Sequence, residues 1–435
     1  MTVRKILAIN SAILLGLFAA PAAHANPAAS SGRGSLLIFP NVEIKWDSAG
    51  NLIQDTVLTI ANDYVSSVQI QMYFVNGDPP LDPIFGPTDD LIERRHPGWN
   101  HSGCGIKLSR FQVMFWSAVT GIPGACPFGI LDSGSPLGRP DPDSPGDRML
   151  RGFVYAWAVD LFGREINWNF LRGDALIVNY SEGATWAYDA EAFRALAGSR
   201  GQTLPEPGVL RLDGDEYEWA FSTLRLNFFA SGASEFFGGD RTVLVDTDLT
   251  LLPVSQDFRQ DGDGPVTTKA KFDIWNMHEV RFSGTTRCIT CWDQTLLSKY
   301  DPPNHFLLAN LQTEIGTARV EGMASGVVCG PESVSDALLG VAARLITFTF
   351  GDWNTDGVVD LTDYAAFAAC LESSGPGCPV PTDDCRTVFD LDEDGDVDLQ
   401  DFQSSMLSSR RSRSYSGVVL VGEGVEEAVI RFDVP

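Results

Sequence analysis

Between Ser35 and Phe350 the chain is dominated by short apolar segments with period-two patterning, separated by turns rich in Gly, Pro, Asp and Asn. In Val68–Val75, the apolar Val68, Ile70, Met72 and Phe74 alternate with Gln69, Gln71 and Tyr73, the pattern of a half-buried strand with one wet face. Ser35–Phe39 and Val42–Trp46 read as two strands parted by Pro40, which cannot donate to a ladder. Asp47–Asn51 is a turn, and Thr56–Ile60 follows as a strand. Further strands are expected at Gly152–Val159, Ala175–Tyr180, Tyr217–Phe229, Thr242–Leu252, Lys271–Trp275, Glu279–Phe282 and Leu338–Phe350. Pro79–Pro97 and Pro123–Asp147 are long loops. Asp189–Ala197 has a helical period, and little else before residue 350 does. The expected fold is mainly β: one or two antiparallel β-sandwiches, followed by a small α-helical unit. A propeller is disfavoured because no blade-like repeat is present.

The apolar pattern also marks the start of the chain. Arg4 and Lys5 precede an apolar run, Ile6–Ala20, and Ala23-His24-Ala25 has the form of a signal-peptidase site. Residues 1–25 are therefore expected to be removed on export, giving a secreted protein (extracellular, cell-surface or periplasmic). No stretch reaches the ~20 apolar residues of a membrane span. The 435 residues carry a net charge of −26, or −28 once Arg4 and Lys5 are removed. Such a surface repels nucleic acid and anionic membrane. A content of 44% apolar and 10% aromatic residues excludes wholesale disorder. Eight cysteines in an exported chain favour disulfides, in three groups: Cys104 and Cys126; Cys288, Cys291 and Cys329; Cys370, Cys378 and Cys385.

The negative charge is concentrated. Phe350–Asp401 holds 14 acids against the one base Arg386. Within it, Asp352-Trp-Asn-Thr-Asp-Gly-Val-Val-Asp-Leu-Thr-Asp363 repeats 38 residues later as Asp390-Leu-Asp-Glu-Asp-Gly-Asp-Val-Asp-Leu-Gln-Asp401. Oxygen donors recur at loop positions 1, 3, 5, 9 and 12, with Gly357 and Gly395 at position 6. That spacing wraps a chain around a hard cation, which takes six to eight oxygens at about 2.3–2.6 Å. The expected ligands for two Ca²⁺ ions are Asp352, Asn354, Asp356, the Val358 carbonyl, Asp360 and Asp363, then Asp390, Asp392, Asp394, the Asp396 carbonyl, Asp398 and Asp401. Val359 and Val397 are expected to point inward and tie the loops together. A helix is expected after each loop, with stripes of Leu361, Tyr364, Phe367 and Leu371, then Leu399, Phe402 and Met406. Unlike an ordinary EF-hand, both loops end in Asp, and no entering helix is legible.

Those features resemble a type I dockerin over about Phe350–Ser408. The resemblance implies a non-catalytic calcium module that docks to a cohesin-like or other surface protein. Its usual carriers are polysaccharide-degrading enzymes and their accessories. Positions 10 and 11, where many dockerins carry partner-reading hydroxyls, are Leu361-Thr362 and Leu399-Gln400 here. The 38-residue offset is long because Cys370–Cys385 adds a Pro/Gly/Cys-rich link, expected to hold a disulfide. The chain thus divides into a signal peptide (1–25), a β-rich region (26–345), a dockerin-like unit (346–408) and a tail (409–435). In the tail, Val418–Val421 and Ala428–Phe432 read as a hairpin that either stands alone or completes a sheet of the main body.

Other signals are weaker. Cys288-Ile-Thr-Cys291 is compatible with a redox pair, with half of a zinc site completed by Cys329, His278 or His305, or, more simply, with structural disulfide chemistry. Asp257, Asp261 and Asp263 sketch a calcium loop but lack later ligands, so a polar turn is the plainer reading. There is no His-Glu-x-x-His, no Gly-x-Ser-x-Gly and no phosphate-binding glycine loop. Glycoside hydrolysis needs two facing carboxylates, which sequence alone does not pair. Most tryptophans are expected in the core, with Trp99 the best candidate for exposure. Two functions stay open for the β-rich region: a non-enzymatic binding protein tethered through the module, and a polysaccharide-active enzyme anchored by it.

Overall fold

The structure, a computed structural model, describes residues 32–78, 101–124, 126–128, 138–142, 144–181, 183–233, 243–255, 267–324, 329, 337–348, 353, 361–371, 383–389, 397, 401, 412–419, 421–423 and 428–432. Its first half forms one large sheet from β1 (Leu36–Trp46), β2 (Leu52–Asn62), β3 (Val68–Asn76), β4 (His101–Leu108), β5 (Val113–Ser117), β6 (Arg139–Pro140), β7 (Arg148–Val159), β8 (Leu171–Asn179), β9 (Ala184–Asp189) and β10 (Glu191–Phe193). The main path is β4-β3-β7-β1-β2-β8-β9, with β10 on β1, β5 on β2 and β6 on β7. The second half supplies β11 (Val209–Leu212), β12 (Thr223–Phe229), β13 (Val243–Pro253), β14 (Thr267–Asn276), β15 (Arg281–Thr290), β16 (Asp293–Leu296), β17 (Ile315–Ala324), β18 (Leu338–Phe348), β19 (Ser412–Val419), β20 (Val421–Glu423) and β21 (Ala428–Arg431). These give a five-stranded sheet, β15-β14-β17-β12-β20, a four-stranded sheet, β16-β13-β18-β19, and the ribbon β11-β21. Every pairing between these strands is antiparallel.

Two cores explain why some strands read as near-continuous apolar runs. Leu37, Phe39, Ile60, Ile70, Phe74, Trp116 and Val154 line a core built mainly by the large sheet's own strands, with Val341 and Ala343 of β18 joining it. The opposite face of β1, β3 and β7 presents Ile38, Tyr73, Tyr155 and Trp157 to a second core, shared with Leu226, Phe228, Leu249, Leu251 and Phe272 of the other sheets. A strand buried on both faces has no polar period. This is why β3 loses its wet face partway along: Gln69 and Gln71 are half-buried, whereas Tyr73 is buried at 6% exposure.

Pro40 does not split β1. Between the pairs Phe39↔Val154 and Val42↔Gly152, Pro40 and Asn41 oppose the single residue Phe153. Such a bulge accommodates the missing N–H and flips the side-chain alternation beyond it. Val42, Ile44 and Trp46 therefore stay in the first core, while Glu43, paired with Arg151, turns to the opposite face.

One expectation is corrected, and an open choice is settled by the pairing. Asp189–Ala197 is not helical: Glu191–Phe193 pair with Leu36–Ile38, and Ala192, Phe193 and Ala195 are buried, so strand pairing and burial override the alanine-rich helical period. Of the two readings of the tail, the one in which it completes the main body is the one found, though its strands pair with other strands rather than with each other. β19 pairs with β18, β20 with β12 and β21 with β11, so the last strands complete three sheets of the main body. Phe348 lies opposite Ser412, and the ladder continues to Val341 opposite Val419. The acidic segment 349–411 therefore leaves and re-enters the β-rich body at one point, between two neighbouring strands.

This topology separates two truncations. Replacing residues 350–410 by a short Gly/Asn turn should leave a cooperatively folding protein with an unchanged strand signature in far-ultraviolet circular dichroism. Ending the chain at residue 349 should not. It strips β18 and β12 of partners and removes the buried Ile430 and Phe432, each worth roughly 1.5–3 kcal/mol. Equal melting temperatures for the two variants would contradict the insertion topology.

Candidate functional site

The acidic insertion is described at a few key positions. α2 (Leu361–Cys370) begins at position 10 of the first repeat, and α3 (Asp383–Phe389) ends just before Asp390, the first residue of the second. The second repeat therefore does have an entering helix, which the sequence reading lacked. Its signals are the Asp383-Asp384 pair at its start and Val388-Phe389 at its end, both buried. A disulfide, Cys370–Cys385, joins the end of α2 to the start of α3. Closing a loop of 15 residues in this way is worth about 3 kcal/mol in the chain-entropy account.

Around that bridge lies a small core of Phe367, Cys370, Cys385, Val388, Phe389 and Val397, with Trp353 and Ala366 packed against it. Val397 at 0% exposure is at position 8 of the second repeat, as expected for an inward-pointing residue. The Trp353 ring stacks on Phe389 at 5.7 Å, and Phe367 meets Phe389 edge-on at 5.4 Å. The expected stripe on α2 is corrected. Phe367 is buried, but Leu361, Tyr364 and Leu371 are exposed, and the buried face is Asp363, Phe367 and Cys370. A cluster this small covers one face of the helix, and a carboxylate occupies part of it.

That carboxylate is Asp363, at position 12 of the first repeat and 1% exposed. Asp401, at position 12 of the second, is 0% exposed. The backbone N–H of Trp353, at position 2, donates to Asp363 Oδ1 at 2.7 Å, so the two ends of the first loop meet. Asp352, Asn354, Asp356, Val358, Asp360, Asp390, Asp392, Asp394, Asp396 and Asp398 lie outside the described residues, as do Val359, Leu399, Phe402 and Met406. Among the described residues alone, no group of three or more His, Cys, Asp or Glu side chains is placed to hold a metal.

The β-rich body pairs acids that sequence could not pair. On the face to which the β1 bulge turns it, Glu43 accepts from Gln54 Nε2 at 2.7 Å. The Gln294 amide bridges Glu43 and Asp248, reaching Asp248 Oδ2 at 2.7 Å. Removal from water, then the charge of Glu43, pushes Asp248 up. Arg151 closes the cluster, holding Asp78 through two bonds of 3.1 and 3.2 Å. A second pair, Glu165 and Glu216, accepts backbone N–H groups of Gly208 and Glu206. Burial raises both to about 7, reinforced at Glu165 by the charge of Glu216 and at Glu216 by the charges of Asp213 and Glu206. Glu191, buried and near Asp189, is raised to about 8. Glu43 and Asp248, and Glu165 and Glu216, lie far apart in sequence, which is why no local motif betrays them. Glu165 is 0% exposed and Glu43 6%, so these carboxylates line the interior rather than an open cleft.

The weaker sequence signals resolve as follows. Cys104–Cys126 and Cys288–Cys329 are disulfides, and Cys291 is buried outside both. Bridging Cys288 to Cys329 takes both sulfurs out of the redox-pair and zinc readings. Trp46, Trp116, Trp157, Trp168, Trp186 and Trp292 are buried, while Trp219 is 37% exposed and Trp275 half-buried. Trp99, Cys378, residues 1–25 and Asp257, Asp261 and Asp263 lie outside the described residues. Among the described residues no helix is long and apolar enough to cross a membrane. No family model, no curated protein and no solved structure matches the chain.

The raised acids set a pH dependence. Glu165, Glu216 and Glu191 keep protons in the fold at pH values where the unfolded chain, with glutamates near 4.5, has lost them. Their stabilisation is complete below about pH 4.5 and is lost as pH rises through 7 to 8. With calcium saturating throughout, the β-rich body should melt at a higher temperature at pH 6 than at pH 8.5. Glu191→Gln should flatten that slope, removing on the order of 2–3 kcal/mol of the stability difference between pH 6 and pH 8.5. A melting temperature that rises with pH over this range, unchanged by the substitution, would contradict it.

Proposed function

We propose that residues 349–411 form a two-site calcium module of the dockerin-like kind. In this reading the protein is exported and non-catalytic, and the module attaches its β-rich body to a cohesin-like or other surface protein. The observation that carries the reading is the burial of Asp363 and Asp401, the twelfth residues of two repeats in register. A carboxylate enclosed in a small apolar core is costly unless charge and hydrogen bonds compensate it. A cation drawn into the same loop supplies the charge. The donor set fits a hard ion, being all oxygen: Asp352, Asn354, Asp356, the Val358 carbonyl, Asp360 and Asp363 in one loop, and Asp390, Asp392, Asp394, the Asp396 carbonyl, Asp398 and Asp401 in the other. The N–H bond from Trp353 to Asp363 supports it further, because it brings together the two ends of the first repeat.

The docking role rests on the resemblance and on exposure. Leu361 is 83% exposed and Thr362 is exposed, at the two positions that read the partner in many dockerins. Their neighbour Tyr364 is 51% exposed. Enclosure of the paired acids in the β-rich body supports a binding role there over hydrolysis, since a hydrolase needs its carboxylates to reach substrate and water. Association with polysaccharide breakdown follows from the company such modules keep.

Trp353 provides the test. Its indole is beside the first loop, so terbium should show emission sensitised by tryptophan, and calcium should compete it away. Asp356→Ala should abolish that signal and Asp257→Ala should leave it intact. Calorimetry should count two calcium ions per chain, falling to one in Asp401→Asn. No sensitised emission, or none displaced by calcium, would overturn the reading.

A further inference from the structure

One end of the large sheet carries a feature that neither the calcium module nor the buried acids explain. β3 begins at Val68 opposite Leu108, and on its other side Gln69 lies opposite Val159 at the end of β7. The loops 63–67, 109–112 and 160–164 therefore leave the sheet side by side. Tyr64 ties the first two together, its carbonyl accepting the Phe111 N–H at 3.0 Å. Between them the three loops expose Val65, Phe111, Leu161 and Phe162, with Leu161 at 93% and Phe162 at 70%. Large apolar side chains this exposed, gathered at one end, mark a surface that meets something less polar than water.

The turn that bears Leu161 and Phe162 satisfies its own backbone. The Asp160 N–H donates to the Arg164 carbonyl at 2.8 Å, and the Gly163 N–H to the Asp160 carbonyl at 3.2 Å. Asp160 Oδ1 accepts the N–H groups of Phe162 and Arg164 at 2.8 and 3.0 Å. Backbone groups that enter an apolar phase must find their partners within the chain. The same carboxylate grips the Arg164 guanidinium through two bonds of 2.9 and 2.7 Å, and that guanidinium lies 5.3 Å from the Phe162 ring centre. Phe111 sits at φ 53°, a left-handed backbone that bulky residues seldom adopt, and its side chain is exposed there.

Charge at this end runs against the rest of the chain. Arg33 offsets Asp63, Arg164 offsets Asp160, and Glu165, the next acid along, is buried. Arg110 and Arg200 are exposed and have no acid partner among the described residues; Arg200 lies over the Tyr64 ring at 4.6 Å. The loops thus carry an excess of positive charge on a chain whose net charge is −26. Screening confines such charges to about 8 Å at physiological ionic strength, so the end that faces a surface decides what the protein meets there. We propose that this end of the large sheet seats on an anionic lipid bilayer. Leu161, Phe162, Phe111 and Val65 enter the boundary between headgroups and acyl chains, and Arg110 and Arg200 meet the lipid phosphates around them. Protruding tips, unlike a groove, suit a fluid surface that yields around them. The assignment is independent of the calcium module, which lies in a different part of the chain.

The test uses the full chain and vesicles of phosphatidylcholine, alone or with about one third phosphatidylglycerol. Excess chelator is present throughout, so that calcium cannot bridge the acidic insertion to lipid. In flotation the protein should bind the anionic vesicles, and the neutral ones about tenfold more weakly. Raising ionic strength from about 0.05 M to about 0.5 M should weaken the binding. Leu161→Ser combined with Phe162→Ser, both at exposed positions, should lower vesicle affinity about tenfold or more. Arg110→Gln combined with Arg200→Gln should erase the preference for anionic vesicles. Met277→Ser, at an exposed apolar position in the other half of the body, should change nothing. The proposal is overturned if the chain floats with neither vesicle, if binding requires calcium, or if the folded Leu161→Ser, Phe162→Ser variant binds as tightly as the parent. It is also overturned if vesicles are not bound and that variant instead abolishes self-association in sedimentation, because the tips then dock a second copy.

Discussion

The ladder between Leu338–Phe348 and Ser412–Val419 is the interaction on which the arrangement of this molecule depends. It closes a long acidic excursion, and loop-closure entropy grows only slowly with the length closed. The ladder can bear that cost because β18 is anchored on its other side by β13 along the whole of its length, from Val243↔Phe348 to Pro253↔Leu338. Val341 and Ala343 sit in one core and Leu339 and Ala342 in the other, so this pair of strands is also where the two cores meet. The insertion is thus carried on the best-supported part of the β-rich body, and its ends stay fixed whether or not its interior is ordered.

Charge is distributed to suit that division. Fourteen acids crowd the segment from Phe350 to Asp401, where like-charge repulsion opposes compaction unless a cation is bound. The core within the insertion, essentially Phe367, Val388, Phe389 and Val397 around one disulfide, is too small to overcome such repulsion by burial alone. In the β-rich body the opposite strategy holds. Burial raises Glu165, Glu191 and Glu216 to about 7 or 8, so that a proton rather than a metal ion relieves their charge as pH falls through that range. On the outer face of the five-stranded sheet, Arg225 and Arg319 lie opposite one another across β12 and β17.

How much of this could be read from residue order depends on how local the cause is. The alternation in Val68–Val75, the run Gly152–Val159 and the duplicated twelve-residue loops are local, and strands β3 and β7 appear where those patterns placed them. The buried Asp363, Asp401 and Val397 occupy positions that the repeat had singled out. What sequence could not supply is whatever depends on register. The bulge that turns Glu43 toward Gln294, 251 residues away, is visible only once β1 is laid against β7. The alanines near Ala192 have a helical period that loses to pairing with β1. The exposed Leu361 and Tyr364 belong to a helix whose buried face includes a carboxylate, a choice hydropathy alone would not make.

The central claim is that the insertion folds with its metal while the strands that carry it do not depend on it. Hydrogen–deuterium exchange of the intact chain, in excess calcium and in excess chelator, measures this segment by segment. The account predicts that chelation speeds exchange of the amides in Leu361–Cys370 and Asp383–Phe389 by orders of magnitude. Val243–Pro253 and Leu338–Phe348 should keep their protection. Equal protection of the two helices with and without calcium would contradict it, as would a loss of protection that spread through β13 and β18.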